Sequence, residues 1–269
     1  MELRRLIRGQ VDWPRLELVA RDIAKRYERE SVRVEFLDAD NWLSTPCVVE
    51  DEWFVKIITP QNALVHSIFT GARNLGVFSS GTEGFFEGFE GPLEMSRHEL
   101  EATRRMREIG VNAPEPIEAF GVNGLGVVVL EYLPDFRTLG DLEPEEAESV
   151  ATALFSSLAT MHDNRLAHGD LREENVLICD GELYFIDATN VREEGISDAR
   201  SYDIASALST LSPLIGPRAA VDAAQLAYDW DELLAAREFL DFVKLRPDHD
   251  FDAAAVKGEI ETRATIDLN

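Results

Sequence analysis

The segment 168–187, HGDLREENVLICDGELYFID, holds three oxygen-bearing side chains at a spacing that could carry out chemistry. The Asp180-Gly181 dipeptide between VLIC and ELYF predicts a hairpin with a two-residue turn. In the register that follows from this turn, Asp187 lies beside Asn175 at the open end of the hairpin. Asp170 arrives there from the preceding loop, so we expect the three side chains to converge.

Such a cluster suits a hard divalent cation. Carboxylate and amide oxygens are ligands for Mg²⁺, which keeps several waters and bridges phosphates. An Asp that orients or accepts a hydroxyl proton, with an Asn and a second Asp on metal, is the layout of phosphoryl transfer. The alternative is a surface hairpin with incidental acids, because the chain is rich in Asp and Glu.

The pattern D-x₄-N-hairpin-D resembles the protein-kinase superfamily, and the form HGDLxxxNVL ending in ID is most similar to the RIO family and the KEOPS-complex kinase. It also resembles aminoglycoside and choline phosphotransferases. The resemblance implies an α+β fold of two lobes, a small antiparallel-sheet N-lobe and a mainly helical C-lobe. It implies that ATP and Mg²⁺ bind between them, with Asp170 catalytic and Asn175 and Asp187 on metal.

A kinase also needs a strand Lys for the α- and β-phosphates and a helix Glu that orients it. Lys56, in WFVKII, is the only Lys between residues 26 and 243; an edge-strand Lys is the alternative. Glu99 lies on the apolar stripe of its helix with Met95 and Met106, whereas Glu101 lies on the polar face. A carboxylate that faces the interior needs a cation, so we predict a Lys56–Glu99 pair.

The resemblance assigns further contacts. The stretch VVVLEYLPD resembles the segment that joins kinase lobes, where the backbone from Glu131 to Leu133 would bind adenine. Arg172 takes the place of a Lys in Ser/Thr kinases and would neutralise charge on the phosphoryl group. It could instead pair with a neighbouring Glu. Asp203 would bind the backbone of the loop that carries Asp170, or it is simply an acid near a helix N-terminus.

The sequence departs from the kinase pattern at the phosphate loop and after Asp187. No Gly occurs from residue 10 to residue 70, so the candidate phosphate-covering loop is residues 38–46, where Ser44 and Thr45 would donate to phosphate. Asp187 is followed by Ala and Thr instead of Phe and Gly, and no APE motif is present. RIO-like kinases share this truncation. They also carry a flexible insertion, which the Gly/Phe-rich stretch 60–94 resembles.

Hydrophobic periodicity predicts the remaining elements. Helices are expected at 15–29, 95–109, 144–163 and from about 200 onward, and strands at 32–38, 46–58 (two), 116–121, 126–132 and 176–186 (two). Glycine density predicts a long loop over 60–94 whose aromatic side chains dock elsewhere. These elements divide into an N-terminal helical extension (1–30), an N-lobe (31–133) and a C-lobe (134–269).

The composition points to habitat more than to substrate. The formal net charge is −25 over 269 residues and only four Lys are present, as in proteins adapted to high salt. This charge disfavours direct nucleic-acid and membrane binding. Cys47 and Cys179 belong to no ligand cluster, and we expect two buried reduced thiols. Without a long apolar run or a signal-peptide pattern, the expected location is the cytoplasm.

Three functions remain open. The first is an atypical RIO-like Ser/Thr kinase or ATPase that uses Mg-ATP. Its acceptor is an unknown protein or small molecule, and ribosome maturation is a possible setting by analogy. The second is a small-molecule kinase of the aminoglycoside or choline type, although the short tail leaves little chain for the substrate pocket of that class. The third is a nucleotide-binding scaffold without catalysis, which the missing Gly loop favours.

Overall fold

A computed structural model describes residues 11–37, 44–79, 84–189, 191–244 and 250–267, with the side chains of 72 and 75–79 excepted. The chain forms two compact units. Unit 1 comprises the residues up to Ala72, Gly88–Arg105 and Pro114–Pro134; unit 2 comprises Arg73–Glu87, Met106–Ala113 and the residues from Asp135 onward. Most of the predicted phosphate-covering loop, residues 38–43, lies outside the described residues.

The first half of the described chain contains helices and long strands. In order these are α1 (Trp13–Arg26), β1 (Val34–Phe36), β2 (Thr45–Val49), β3 (Trp53–Ile58), α2 (Pro60–Ser79), α3 (Pro92–Glu108), β4 (Pro116–Val122) and β5 (Leu125–Glu131). The second half is mainly helical. It contains β6 (Arg137–Thr138), α4 (Pro144–Asp163), β7 (Val176–Cys179), β8 (Glu182–Phe185), α5 (Ile196–Ile215), α6 (Pro217–Gln225), α7 (Trp230–Arg237), α8 (Leu240–Lys244) and α9 (Ala253–Asp267).

Unit 1 is built on an antiparallel sheet with the strand order β1-β2-β3-β5-β4. Alternate residues of the central strands point to one face and are buried there with α1; they include Cys47, Val49, Val55, Ile57, Val127 and Val129. The period-2 pattern of these strands therefore creates an apolar face. Val19 and Ile23 of α1 cover that face, as the predicted amphipathic stripe requires.

Helix α2 corrects the prediction of a long loop over residues 60–94. Thr59 and Asn62 cap the helix reciprocally: the Asn62 amide oxygen accepts from the Thr59 N–H at 2.9 Å, and the Thr59 hydroxyl accepts from the Asn62 N–H at 3.0 Å. Pro60 occupies the first helical position, where its missing N–H costs nothing. The two glycines inside the helix cost only about 1 kcal/mol each, which these terminal signals and the burial of Ala63 and Val65 offset.

The predicted hairpin of unit 2 is confirmed in its register. Strands β7 and β8 pair Cys179 with Glu182 and Val176 with Phe185, and β6 adds a third strand beside β7. The turn residues Asp180 and Gly181 both have positive φ, 52° and 82°. This is the backbone conformation that an Asp-Gly turn adopts at low cost.

Helix α5 is the centre of the helical part of unit 2. Its residues are buried on all sides from Tyr202 to Ser212, so it carries little amphipathic signal. Helix α4 buries one stripe that includes Ala151, Leu154 and Leu158. It begins as predicted at Pro144, after a capping box between Glu143 and Glu146.

The predicted fold class is confirmed: an α+β chain in which an antiparallel-sheet part precedes a mainly helical part. Cys47 and Cys179 are both buried and outside any disulfide, as expected for structural thiols. Among the residues described, none of the helices has the length and apolar character that a membrane span requires.

Candidate functional site

A buried carboxylate fixes the loop that precedes the hairpin, residues 168–175, which we call the HGD loop. Asp203 of α5 is fully buried and accepts hydrogen bonds from the backbone N–H of His168 at 2.6 Å and of Gly169 at 2.7 Å. Gly169 has a φ of +74°, and a Cβ there would meet the Thr189 side chain at 2.3 Å. The predicted backbone-binding role of Asp203 is therefore what the structure shows.

The same carboxylate continues into a buried side-chain network. His162 of α4 places Nε2 3.2 Å from an Asp203 oxygen, and the Tyr228 hydroxyl lies 2.8 Å from His162 Nδ1. Burial is the main cause that raises the pKa of Tyr228. The phenol therefore stays neutral, and the network joins α4, α5 and the segment before α7 behind the HGD loop.

Asp170 and Asn175 meet at the mouth of the hairpin, as predicted. The Asn175 side-chain N–H group donates to the Asp170 carbonyl oxygen at 2.7 Å and lies 3.5 Å from an Asp170 carboxylate oxygen. Both residues are buried. Because its nitrogen is held by Asp170, the amide of Asn175 presents its oxygen on the other side. That oxygen is a hard ligand of the kind Mg²⁺ prefers.

Asp187 follows the hairpin at the position the register predicts. The Ile186 N–H donates to the Asn175 carbonyl at 3.1 Å, which brings the start of the segment after β8 beside Asn175. Asp187 has a φ of +62°, a conformation uncommon for a residue other than Gly. In the described part of the chain, no cluster of three or more His, Cys, Asp or Glu forms a metal site. A Mg²⁺ ion held by the predicted Asp-and-Asn pair would take its remaining ligands from phosphate and water.

Arginines surround the Asp170 carboxylate. Arg172 Nη2 lies 3.4 Å from one of its oxygens, and Arg172 Nη1 also contacts Glu174. The pairing with a neighbouring Glu, one of the two sequence alternatives, is therefore present. The other Asp170 oxygen accepts a hydrogen bond from Arg73, a residue within α2.

The segment after α2 holds Arg73 in place. We call residues 84–87 the strap. The Arg73 guanidinium lies over the Phe86 ring, 5.2 Å from its centre. Asn74 binds both backbone groups of Phe86, accepting from its N–H at 3.0 Å and donating to its carbonyl at 2.9 Å.

The strap is anchored in unit 2. The Arg192 N–H donates to the Phe85 carbonyl at 2.9 Å, and Phe86 forms a β-bridge with Val191. The rings of Phe85 and Phe86 are buried against Tyr202. The expected docking of aromatic residues from the 60–94 stretch therefore holds for these two rings.

Unit 1 contains the predicted ion pair. Lys56 Nζ of β3 lies 2.7 Å from the Glu99 carboxylate of α3, and the side chains are only 4 % and 14 % exposed. Glu101 instead pairs with Arg104 on the exposed face of the helix, at 2.6 Å. The choice of Glu99 over Glu101, made from helical spacing, is confirmed as a contact.

The residues predicted to touch the nucleotide lie elsewhere in unit 1. Ser44 is buried, and its hydroxyl has no hydrogen-bond partner among the described residues. Thr45 begins β2. The N–H of Glu131 donates to Glu115 at 2.9 Å. The next N–H, of residue 132, donates to another backbone carbonyl of the unit at 3.0 Å. Of the three residues predicted to bind adenine through their backbone, Leu133 is the one that remains as an N–H donor.

Comparisons with known proteins match the part of the chain that contains the HGD loop. The RIO domain family model matches residues 93–202, a span that contains α3, the HGD loop and the hairpin. Over this span the chain resembles a RIO domain. The KEOPS complex subunit Bud32 of Pyrococcus abyssi is 29 % identical over 114 residues, which cover 41 % of this chain and 51 % of the relative. The chain thus spans about half the length of the curated relative it matches.

Among solved structures, two mutant forms of the PknI kinase domain of Mycobacterium tuberculosis are similar to this chain. Each is 14 % identical, covers 87 % of this chain and 95 % of its own, and has a TM-score of 0.44.

Sequence reasoning missed several residues of the candidate site. Arg73 and Asn74 were hidden because their helix was taken for a loop, although the Thr-Pro-x-Asn start at residue 59 signals a helix. His162 lies within an amphipathic helix, and Tyr228 lies far along the chain. Only the three-dimensional packing around Asp203 connects those two.

Proposed function

We propose that this chain is a Mg-ATP-dependent phosphotransferase, acting as an atypical RIO-like Ser/Thr protein kinase or as an ATPase. The observation that carries the proposal is the HGD loop. Its backbone is fixed by Asp203, and it presents Asp170 in contact with Asn175 inside the span matched by the RIO model. A protein that only binds nucleotide has no need of a carboxylate held in that position.

Each residue of the site has a distinct role in the proposal. Asp170 orients the acceptor hydroxyl and takes its proton. Asn175 and Asp187 would hold the metal, which would neutralise charge on the phosphates. The amide of Asn175 fits this role because its nitrogen is already bound by Asp170.

Unit 1 would contribute contacts to the nucleotide. Lys56, oriented by Glu99, would bind the α- and β-phosphates. The buried Ser44 hydroxyl, without a partner among the described residues, supports a phosphate contact there. Thr45 would add a second donor. Adenine would bind the backbone between Glu131 and Leu133, through the Leu133 N–H in particular.

The phospho-acceptor is proposed only as a class, a Ser or Thr hydroxyl or water. The relative is named as a subunit of the KEOPS complex, so a protein partner for this chain is part of the proposal. The alternative functions remain a small-molecule phosphotransferase and a nucleotide-binding scaffold. The scaffold is favoured by the lack of glycines before β3, where kinases cover the phosphates.

In the test, the full chain is incubated with labelled Mg-ATP. The buffer has high salt, because salt screens the repulsion within a chain of net charge −25. Phosphate release and self-labelling are measured for the wild type, for Asp170→Ala and for Asp187→Asn. Asp163→Ala, at an exposed position, is the matched control. We expect turnover that both site variants abolish and the control keeps.

The remaining outcomes separate the alternatives. Turnover that appears only with an added metabolite supports the small-molecule kinase. Mg-ATP binding without any turnover in the wild type supports the scaffold. Turnover that survives Asp170→Ala contradicts the assigned role of the HGD loop.

A further inference from the structure

We propose that Arg73 is a further catalytic residue, a cation that α2 supplies to the phosphoryl-transfer site beside Asp170. The inference rests on the proposed function, because it takes Asp170 as the group that receives the acceptor proton. Arg73 lies outside the span matched by the RIO model, in the stretch that the sequence indicated as an insertion. Its assignment therefore comes from the structure of this chain.

The position of Arg73 is the first argument. Its Nη2 donates to one Asp170 carboxylate oxygen, while Arg172 and Asn175 approach the other oxygen. The side chains of Arg73 and Asp170 are 19 % and 9 % exposed, so the contact is largely shielded from water. An arginine this close to Asp170 lies within reach of the phosphoryl group that the acceptor hydroxyl attacks.

The rigidity of this position is the second argument. The Phe86 ring stacks on the guanidinium, and the neighbouring Asn74 is hydrogen-bonded twice to the Phe86 backbone. Phe85 and Phe86 are almost fully buried. A group that had to swing away would not be braced by a buried strap. A preorganised cation needs such bracing, because it must not reorganise during the reaction.

The local charge is the third argument. Asp170 and Asp187 are negative, and Glu173 and Glu174 follow in the same loop. Burial, with the charges of Glu174 and Asp141, raises the pKa of Glu173, which is a sign of this negative field. Arg172 shares its charge with Glu174. A triphosphate brought here would need another fixed cation, and Arg73 supplies one.

The reaction assigns a clear task to this cation. The acceptor oxygen forms a bond to the γ-phosphorus while the bond from that phosphorus to the β,γ-bridging oxygen breaks. The bonding pair leaves with ADP, and the acceptor proton passes to Asp170. Charge spreads over the equatorial oxygens of the transferred group, where a guanidinium with several N–H donors can contact them and still hold Asp170.

The test measures kcat and KM for Mg-ATP with Arg73→Ala, Arg73→Lys and the control Arg218→Ala, an exposed arginine of the same unit. Loss of one preorganised cation should lower kcat by about 100-fold with KM little changed. Lys should restore part of the loss, because it keeps the charge without the planar fork. Millimolar guanidinium should raise the turnover of Arg73→Ala. Arg218→Ala should match the wild type.

A second readout keeps this inference separate from the proposed function. Binding of Mg-ADP with aluminium fluoride, which mimics the transferred phosphoryl group, should weaken in Arg73→Ala while binding of Mg-ADP alone does not. If Asp170→Ala abolishes turnover but Arg73→Ala turns over as fast as the wild type or faster, the cation role is wrong. If the wild type has no turnover, the proposed function fails. The role of Arg73 is then tested by binding of the Mg-ADP–aluminium fluoride complex alone. Equal affinity of the wild type and Arg73→Ala for that complex overturns the role.

Discussion

A shielded ion pair lies in each unit of the molecule, Lys56–Glu99 in one and Arg73–Asp170 in the other, and these two pairs arise in different ways. In unit 1, Lys56 of β3 meets Glu99 of α3 at 2.7 Å. In unit 2, Arg73 of α2 meets Asp170 of the HGD loop, 97 residues further along the chain. Periodicity along one helix is enough to select Glu99. The second pair depends on a capped helix, a buried strap and a loop anchored by α5.

The difference shows which contacts of this fold can be predicted from a local sequence pattern and which cannot. Glu99 is constrained because an acid on the apolar stripe of a helix must find a cation. Arg73 has no such local constraint, since an arginine on a helix ordinarily keeps its charged group in water. What commits it to Asp170 is the strap, whose phenylalanines must be buried somewhere.

Removing the carboxylate of each pair is the strongest way to compare them. Asp170→Ala should lower turnover by about 10³-fold, because it removes the proposed proton acceptor. Glu99→Ala should lower it by about 10²-fold, since Lys56 stays present but loses its orientation. Glu101→Ala, on the exposed face of the same helix, is the control and should keep wild-type turnover. Equal losses for Asp170→Ala and Glu99→Ala would remove the distinction between a reacting group and an orienting one.

The anchor of the HGD loop is the next target. Asp203→Ala leaves the N–H groups of His168 and Gly169 buried without their acceptor. It should lower the free energy of unfolding by about 3 kcal/mol or more. Urea denaturation followed by circular dichroism measures this. Asp198→Ala, near the start of the same helix, should change it by less than about 0.5 kcal/mol. A small effect of Asp203→Ala would mean that the loop holds its form without α5.

The strap can be displaced by a single methyl group. A Cβ at Gly195 would lie 2.3 Å from the Phe85 Cβ, so Gly195→Ala must shift the strap. We expect a loss of about 2 kcal/mol in unfolding free energy from this overpacking, and lower turnover if Arg73 depends on the strap. Gly258→Ala, inside α9 with nothing within 4 Å of the added Cβ, should instead stabilise by about 0.5–1 kcal/mol. If Gly195→Ala leaves the unfolding free energy unchanged, the strap can shift to admit the added methyl group at no cost.

The smallest expected effect is a pH dependence from His168. Burial is the main cause that lowers its pKa, against the charges of Asp203 and Asp170, while the Arg172 charge lowers it further. The unfolded chain therefore takes up the proton first. Stability from this group is complete above the unfolded pKa of about 6.5 and is lost as the pH falls below it. Unfolding free energies at about pH 8 and pH 5.5 should differ more in the wild type than in His168→Gln. Equal differences would mean that His168 does not titrate in this range.

Much of the fold follows from local sequence. The Asp180-Gly181 turn fixes the hairpin register, and with it the position of Asn175 beside the residue before Asp187. Helix α4 has the predicted bounds of 144–163, and its start coincides with Pro144 and a Glu143–Glu146 capping box. The prediction of a loop over residues 60–94 was wrong, because it gave the glycine content more weight than the helix cap at Thr59.

The sequence by itself determined the hairpin, the motif residues at its mouth and the partner of Lys56, because each depends on neighbours within one element or one turn. Only the tertiary structure decided that Arg73 contacts Asp170 and that His162 and Tyr228 stand behind Asp203. Those contacts join residues far apart in the chain. Such contacts leave no periodic signal, since they depend on where buried aromatic rings and buried carboxylates find their partners.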